Sequence, residues 1–226
     1  MFEKPVEAVL FDMDGLLLDT EALYARSMQA AAGALGRDMP LAFCHSMIGV
    51  PAQECYAMIR EFYGPELDLD AFRAQFSVHF RRLREDRIPV KPGAVELLDY
   101  LRERGVPTAV ATSARRQPAE HHLAHAGLLG RFTAIATVDD VERAKPHPDV
   151  YLEAARRVGV APAHCVALED SNIGLTAAHA AGTMAIMVPD MVPPTPEVRA
   201  KCLHVADDLH AVLKLLRGVL AEPLSS

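Results

Sequence analysis

The chain has 226 residues, half of them hydrophobic, and a mean hydropathy just above zero, so it can bury a large core and is not intrinsically disordered. Thirty acidic against 23 basic side chains leave a formal charge of -7, which argues against a nucleic-acid surface as its main business. The four cysteines, Cys44, Cys55, Cys165 and Cys202, lie far apart without a CxxC pair, so neither a zinc site nor a disulfide framework is signalled. No window approaches the ~20 apolar residues that a membrane span needs.

The N-terminal stretch MFEKPVEAVLFDMDG carries acids at Glu3, Glu7 and Asp12, with neither the long apolar run nor the small-residue cleavage site of a secretory signal. A cytoplasmic protein with reduced thiols is the expectation. Within that stretch Val6, Ala8, Val9, Leu10 and Phe11 form a nearly continuous apolar run, the pattern of a central parallel strand over residues 6–11. The run stops at Asp12 and Asp14. Alternate side chains of an extended chain point the same way, so these two carboxylates share a side while Met13 points away, and Gly15 lets the backbone turn sharply. Converging carboxylates repel each other unless a cation lies between them, and a hard, oxygen-seeking ion such as Mg2+ suits that place. The plainer alternative is a solvated Asp-Gly turn. A calcium loop fits worse, because its later ligand positions would fall on Leu16 and Leu23.

From Thr20 the spacing becomes helical: TEALYARSMQAAAGALG is alanine-rich, can take Thr20 as its N-cap and ends near Gly33 or Gly36. Residues 40–48, 51–63 and 68–86 each read as helix, with Pro51, Gly64 and Pro65 as punctuation and no convincing strand among them. That block reads as a helical unit inserted after the first strand, and the arginines of HFRRLREDR as its solvated face. From Pro89 strands and helices alternate. A helix over 93–104 precedes the strand VPTAVAT, which finishes at Thr112 and Ser113; a helix to Ala126 precedes FTAIATV; a helix from Pro148 precedes HCVALED. SNIGLTAAHAAG, TMAIMVP and LHVADDLHAVLKLLRGVL supply a helix, a fifth strand, and a sixth strand with a closing helix, whereas PDMVPPTP and EPLSS look loosely structured. This rhythm implies an α/β, Rossmann-like parallel sheet with helices on both faces, made by residues 1–19 and 87–226, plus an α-helical insert over 20–86.

In open parallel sheets ligands lie outside the carboxyl ends of the strands. Four unusual endings meet there: Asp12 and Asp14 after strand one, Thr112 and Ser113 after strand two, Glu169 and Asp170 after strand four, and the proline-flanked Lys145 ahead of the helix leading into strand four. Singly each has a plain explanation, a hydroxyl or Asp170 as helix cap, a lysine as solvated charge. Together they supply what in-line phosphoryl transfer requires: a carboxylate to attack phosphorus, oxygens for a cation, and an amine with hydroxyl and backbone donors for the equatorial oxygens.

With those residues assembled, the chain resembles the haloacid-dehalogenase-type phosphohydrolases of subfamily I, the β-phosphoglucomutase-like branch of sugar-phosphate and nucleotide phosphatases with a helical cap inserted after the first motif. DMDGLLLDT matches the family's DxDG[TV]xxD[ST] at every position but the [TV] one, where Leu16 stands, and VATSA matches its hydroxyl motif, AKPHPD its lysine motif and ALEDSNIG its acidic motif, in order over nearly the whole chain. The resemblance implies that Asp12 is the nucleophile and that Asp14 is the general acid and base, binding Mg2+ through its backbone carbonyl. It further implies Asp170 as second metal carboxylate, Glu169 as outer or water-mediated ligand, and Thr112, Ser113 and Lys145 as the phosphate site. The DG step and the acidic motif favour a Mg2+-dependent phosphatase over haloacid dehalogenation.

Phosphoglucomutase-like relatives use a cap-entry histidine and cap Lys and Arg; ungapped alignment puts those positions on Tyr24, Ile48 and Ala52, none of which carries the family's side chain. The expected function is therefore hydrolysis of a small phosphorylated metabolite (a sugar phosphate, a phosphoglycolate-like ester or a nucleoside monophosphate) through an aspartyl-phosphate, with a phosphomutase as the alternative. FDMDGLLLDTE also looks like pseudouridine-5'-phosphatase, but that stretch reports chemistry and not the leaving group. Tyr24, Ile48, Gly49 and Val50 are the expected cap residues facing the substrate. No nucleic-acid or membrane partner is expected, and the oligomeric state is expected to be monomer or weak dimer. His121, His122 and His125 lie one helical turn apart, but without a nearby acidic partner they read as a helix face rather than a metal site. His147 could approach the site from beside Lys145, and Ser171 and Asn172 are expected to cap a helix and orient Asp170.

Overall fold

The computed structural model describes all residues except Met1, Glu3, Ile48, Gly49, Pro51, Asp86, Arg87, Met191 and 221–226. In chain order its strands and α-helices are β1 (Ala8–Phe11), α1 (Thr20–Ala34), α2 (Leu41–Ser46), α3 (Ala52–Tyr63), α4 (Leu69–Glu85), α5 (Ala94–Glu103), β2 (Thr108–Ala111), α6 (Arg116–His125), β3 (Ala134–Ala136), α7 (Asp149–Val158), β4 (Cys165–Glu169), α8 (Asn172–Ala180), β5 (Met184–Met187), α9 (Pro196–Arg199), β6 (His204–Val205) and α10 (Leu209–Arg217). They fall into two compact units, Met1–Leu18 with Pro89–Ser226, and Asp19–Ile88.

The first unit holds a six-stranded sheet in the order β3-β2-β1-β4-β5-β6, parallel at every pairing. Strands β1, β2, β4 and β5 are buried along their whole length, which is why they are spelled by unbroken apolar runs and not by alternation. One side chain set of these strands, Ala8, Leu10, Ala109, Ala111, Ala167 and Ala185, packs with Val150, Tyr151, Ala154 and Ala155 of α7 and Leu175, Ala177 and Ala178 of α8. The many alanines at that layer let both helices approach the sheet closely. Helices α5 and α10 pack on each other, and a Cβ on Gly93 would meet the backbone N of His210 at 2.6 Å.

The second unit is wholly helical among its described residues. Met28, Ala31 and Ala32 of α1 pack with Cys44 of α2, Cys55 and Ile59 of α3 and Phe72 of α4. Tyr63 OH donates to Asp38 O at 2.6 Å and Gln29 Nε2 to Met39 O at 3.0 Å, tying the α1–α2 connection down. The N-cap of α1 is Asp19, whose carboxylate accepts from Ala22 N at 3.2 Å, not Thr20 as the sequence suggests; both are capping residues, and the carboxylate one position earlier wins the bond. Part of the proline-rich stretch is also more ordered than expected: Thr195 caps the short helix α9 by accepting from Val198 N at 3.3 Å.

Candidate active site

Because all the strands are parallel, their carboxyl ends line one edge, and β1 lies between β2 and β4. Asp12 extends β1 by one residue, its N donating to Leu168 O at 3.0 Å, and Thr112 extends β2 in the same way towards Ala136 O at 3.0 Å. Asp12, Thr112, Glu169 and Asp170 therefore arrive at one edge from three adjacent strands. Gly15 closes the turn after Asp14 at φ +89, and a Cβ there would lie 2.2 Å from Asp170 Oδ2. Glycine is thus required at this place both by backbone conformation and by space.

Lys145 comes from the connection between β3 and α7. Its Nζ reaches Asp12 Oδ1 at 2.5 Å and Glu169 Oε1 at 2.6 Å, with its side chain only 5% exposed. Burial alone would lower the ammonium's pKa, but the charges of Asp12 and Glu169 and the hydrogen bonds to both hold it above its ordinary value. For Asp12 burial dominates and lifts the carboxyl to about 7, against the pull of Lys145 and with the push of Glu169 and Asp14. Asp170 is raised further, to about 9, first by burial and then by the charges of Asp12 and Glu169. A cationic lysine therefore leaves this group of carboxylates short of positive charge.

Ligand atoms of Asp12, Glu169 and Asp170 lie within 4.8 Å of one another, the one such cluster of three or more His, Cys, Asp or Glu among the described residues. An all-oxygen, charge-deficient donor set of this kind fits a hard divalent ion such as Mg2+. Both Glu169 oxygens are already occupied by protein donors: Lys145 Nζ and Tyr151 OH (2.7 Å) on Oε1, Ser171 N (3.2 Å) and Oγ (3.1 Å) on Oε2.

The remaining expected residues fall as follows. Thr112 is buried and its Oγ1 accepts from Ala114 N at 3.0 Å, while Ser113 beside it is exposed. Asp14 is exposed, and its backbone bridges to Leu18. Ser171 caps α8, accepting from Gly174 N at 3.1 Å, but it donates to Glu169 and not, as the sequence suggests, to Asp170. Asn172 is also placed otherwise, its Oδ1 accepting from Thr195 N at 3.0 Å, because the chain after β5 returns over the start of α8. His147 is exposed, in a turn in which its N donates to Ala144 O. On α6 His122 is buried, and His121 and His125 are exposed with ring centroids 4.2 Å apart. In the helical unit Tyr24 packs edge-on to Phe76 and Phe80, burial raising its phenol to about 12, and Val50 borders that unit's core. Ile48 and Gly49 lie outside the described residues.

Two residues of the cluster escape sequence reasoning. Tyr151 lies in DVYLEAARRV, where its spacing with Val150, Ala154 and Ala155 marks it as core, and so it is, with only its hydroxyl turned to Glu169. Gly174 faces the same carboxylate, since a Cβ there would come within 1.8 Å of Glu169 Oε1.

An open parallel sheet thus brings two motif carboxylates, a lysine and a second acidic pair to one edge, the groups that in-line phosphoryl transfer uses. The model of haloacid dehalogenase-like hydrolases matches residues 9–188, and the chain belongs to that family. It is 33% identical over 188 residues to the fructose-1-phosphate phosphatase YqaB of Escherichia coli, covering 83% of this chain and 98% of that one. The phosphorylated carbohydrates phosphatase of Thermotoga maritima is 31% identical over 177 residues, 78% of this chain and 82% of its own. Among solved structures, a HAD family hydrolase from Deinococcus radiodurans with bound phosphate and sodium superposes with a TM-score of 0.78 at 28% identity, covering 95% of this chain and 96% of that chain.

Proposed function

We propose that this chain, a phosphoric monoester hydrolase, releases phosphate from a small phosphorylated metabolite through an aspartyl-phosphate on Asp12, with Mg2+ held by Asp12, Asp170 and the backbone carbonyl of Asp14. The observation that carries the reading is the lysine bridge: one oxygen of Asp12 is held at 2.5 Å by Lys145, which fixes the carboxylate's orientation. Mg2+ would supply charge neutralisation for the phosphoryl oxygens and the attacking carboxylate.

Asp12 attacks phosphorus with its other oxygen, and the P–O bond to the alcohol breaks as the new P–O bond forms. Asp14 delivers its proton to the departing alkoxide. Lys145 and the hydroxyl of Thr112, whose oxygen already accepts from Ala114 N, donate to the equatorial oxygens, helped by the backbone N–H groups of Met13 and Ser113. Asp14, now a carboxylate, takes a proton from water as that water attacks phosphorus, which frees Asp12 and releases phosphate. The relatives named above act on sugar phosphates, so fructose 1-phosphate and similar esters head the candidate substrates.

A panel of sugar phosphates, phosphoglycolate and nucleoside monophosphates assayed with Mg2+ tests this. Wild type is expected to release phosphate from at least one, and Asp12→Asn to fall by at least about 10³-fold while still folding, the scale on which loss of a nucleophile acts. A variant that turns over as fast as wild type would sink the nucleophile. Transfer to a sugar hydroxyl in excess of free phosphate would instead establish the phosphomutase alternative.

A further inference from the structure

Glu169 is fully buried, and its carboxylate accepts four hydrogen bonds from the protein. Ser171 clamps Oε2 through N and Oγ, and Gly174 leaves room for the group and none to spare. On Oε1 two donors meet, the Lys145 ammonium at 2.6 Å and the Tyr151 hydroxyl at 2.7 Å. The tyrosine ring also stands 4.9 Å from Nζ, an attractive cation–π placement, and its hydroxyl oxygen is 3.4 Å from Nζ. An ammonium has three hydrogens to give. Asp12 and Glu169 take two at short range and Tyr151 OH accepts the third only at 3.4 Å, so a phosphoryl oxygen can claim that third hydrogen only while neither carboxylate takes more than its share.

We propose that Tyr151 is a positioning residue of the phosphate site: its hydroxyl holds Glu169 Oε1 where that carboxylate shares Lys145 with Asp12 instead of capturing it. The inference rests on the reading of Lys145 as a phosphate-binding group. Without the hydroxyl, Oε1 keeps a single donor, and a buried carboxylate that has lost a charge-assisted bond compensates by drawing in the ammonium. Lys145 then moves away from Asp12 and from the phosphate. Because the Glu169 oxygens are filled by protein donors, Tyr151 acts on the lysine and not on the metal.

Tyr151→Phe is the test, since it removes one oxygen and keeps the ring that α7 packs on the sheet. Three quantities are measured: affinity for inorganic phosphate by calorimetry in Mg2+, kcat and KM on p-nitrophenyl phosphate, and the Mg2+ concentration that gives half-maximal activity. Phosphate affinity and kcat/KM are expected to fall about tenfold, with the Mg2+ requirement unchanged within about twofold. In a Glu169→Gln background the same substitution is expected to change phosphate affinity less than about twofold, because the carboxylate it acts through is gone. Phosphate affinity within twofold of wild type, or an undiminished effect in the Glu169→Gln background, overturns the proposal. So does a shift in Mg2+ requirement with phosphate affinity intact. If wild type releases no phosphate from any ester the function proposed above fails, while Tyr151 is still judged by phosphate affinity alone.

Discussion

Gly174 is where a missing side chain matters most at the scale of single residues. Helix α8 starts directly against Glu169, and a methyl group at Gly174 would sit 1.8 Å from Oε1 and 2.2 Å from Oε2. The atoms in the way belong to a carboxylate pinned by four donors, so it cannot swing aside cheaply. Gly174→Ala is therefore expected to cost about 2 kcal/mol, in the range of core overpacking, and to reduce turnover by displacing Glu169 from Lys145. Denaturant unfolding and kcat/KM on the same preparation check it; a variant as stable and as active as wild type would mean that Glu169 is not held as described. The same neighbourhood marks how far residues can be read from sequence. Asp12, Thr112, Lys145, Glu169 and Asp170 are legible because strand ends in a parallel sheet converge, and four short motifs mark those ends. Tyr151 and Gly174 are not, because an apolar-faced helix and a helix with one glycine look the same whether or not a carboxylate lies opposite.

The elements are joined to one another by a partly buried acid as well as by apolar packing. Asp140 Oδ2 accepts from Thr137 N and Oγ1, both at 2.8 Å, and from Arg116 of α6 at 2.6 Å, while Oδ1 pairs with Arg157 of α7 at 2.8 Å. Burial would raise this carboxyl, but the bonds to Thr137 and the two arginines bring it down to about 2. A carboxyl lowered on folding binds fewer protons than it does unfolded, so its contribution is present above the unfolded pKa near 4 and is lost as pH falls towards 2. Asp140→Asn is expected to cost about 2 kcal/mol at pH 7, and the gap to wild type should close between pH 4 and pH 2. Urea unfolding at pH 7, 4 and 2.5 measures the gap, and a pH-independent difference would assign the effect to packing. At this scale the alternation of apolar runs and helical spacing makes the parallel sheet legible, because fully buried strands have to be apolar on both faces. The strand order β3-β2-β1-β4-β5-β6 is not legible from that alternation, which says nothing of which neighbours pair. Nor are the cap at Asp19 or helix α9, because Asp19 and Thr20 are both capping residues and prolines crowd the start of α9.

For the whole molecule the governing fact is that the inserted helices leave and re-enter the sheet unit at one place. Leu18 and Val90 form an antiparallel bridge, and Lys91 N donates to Leu17 O at 2.9 Å. Lys91 is also held at 2.5 Å by Asp190 beyond β5, so the returning segment is anchored within the sheet unit itself. Among the described residues no strand of the sheet comes from Asp19–Ile88, and the helical unit has a core of its own. Joining two bridged ends with a short loop adds little closure entropy, since that cost grows only slowly with loop length. Replacing Asp19–Ile88 by a short Gly/Ser loop is therefore expected to leave a chain that unfolds cooperatively. Its denaturant m-value should be lower by roughly a third, in line with the smaller surface exposed on unfolding. Circular dichroism should retain the strand signal and lose helix. A shortened chain with no cooperative transition would mean that the sheet unit depends on the insert for its stability, and that Leu18 and Val90 mark a boundary in connectivity only.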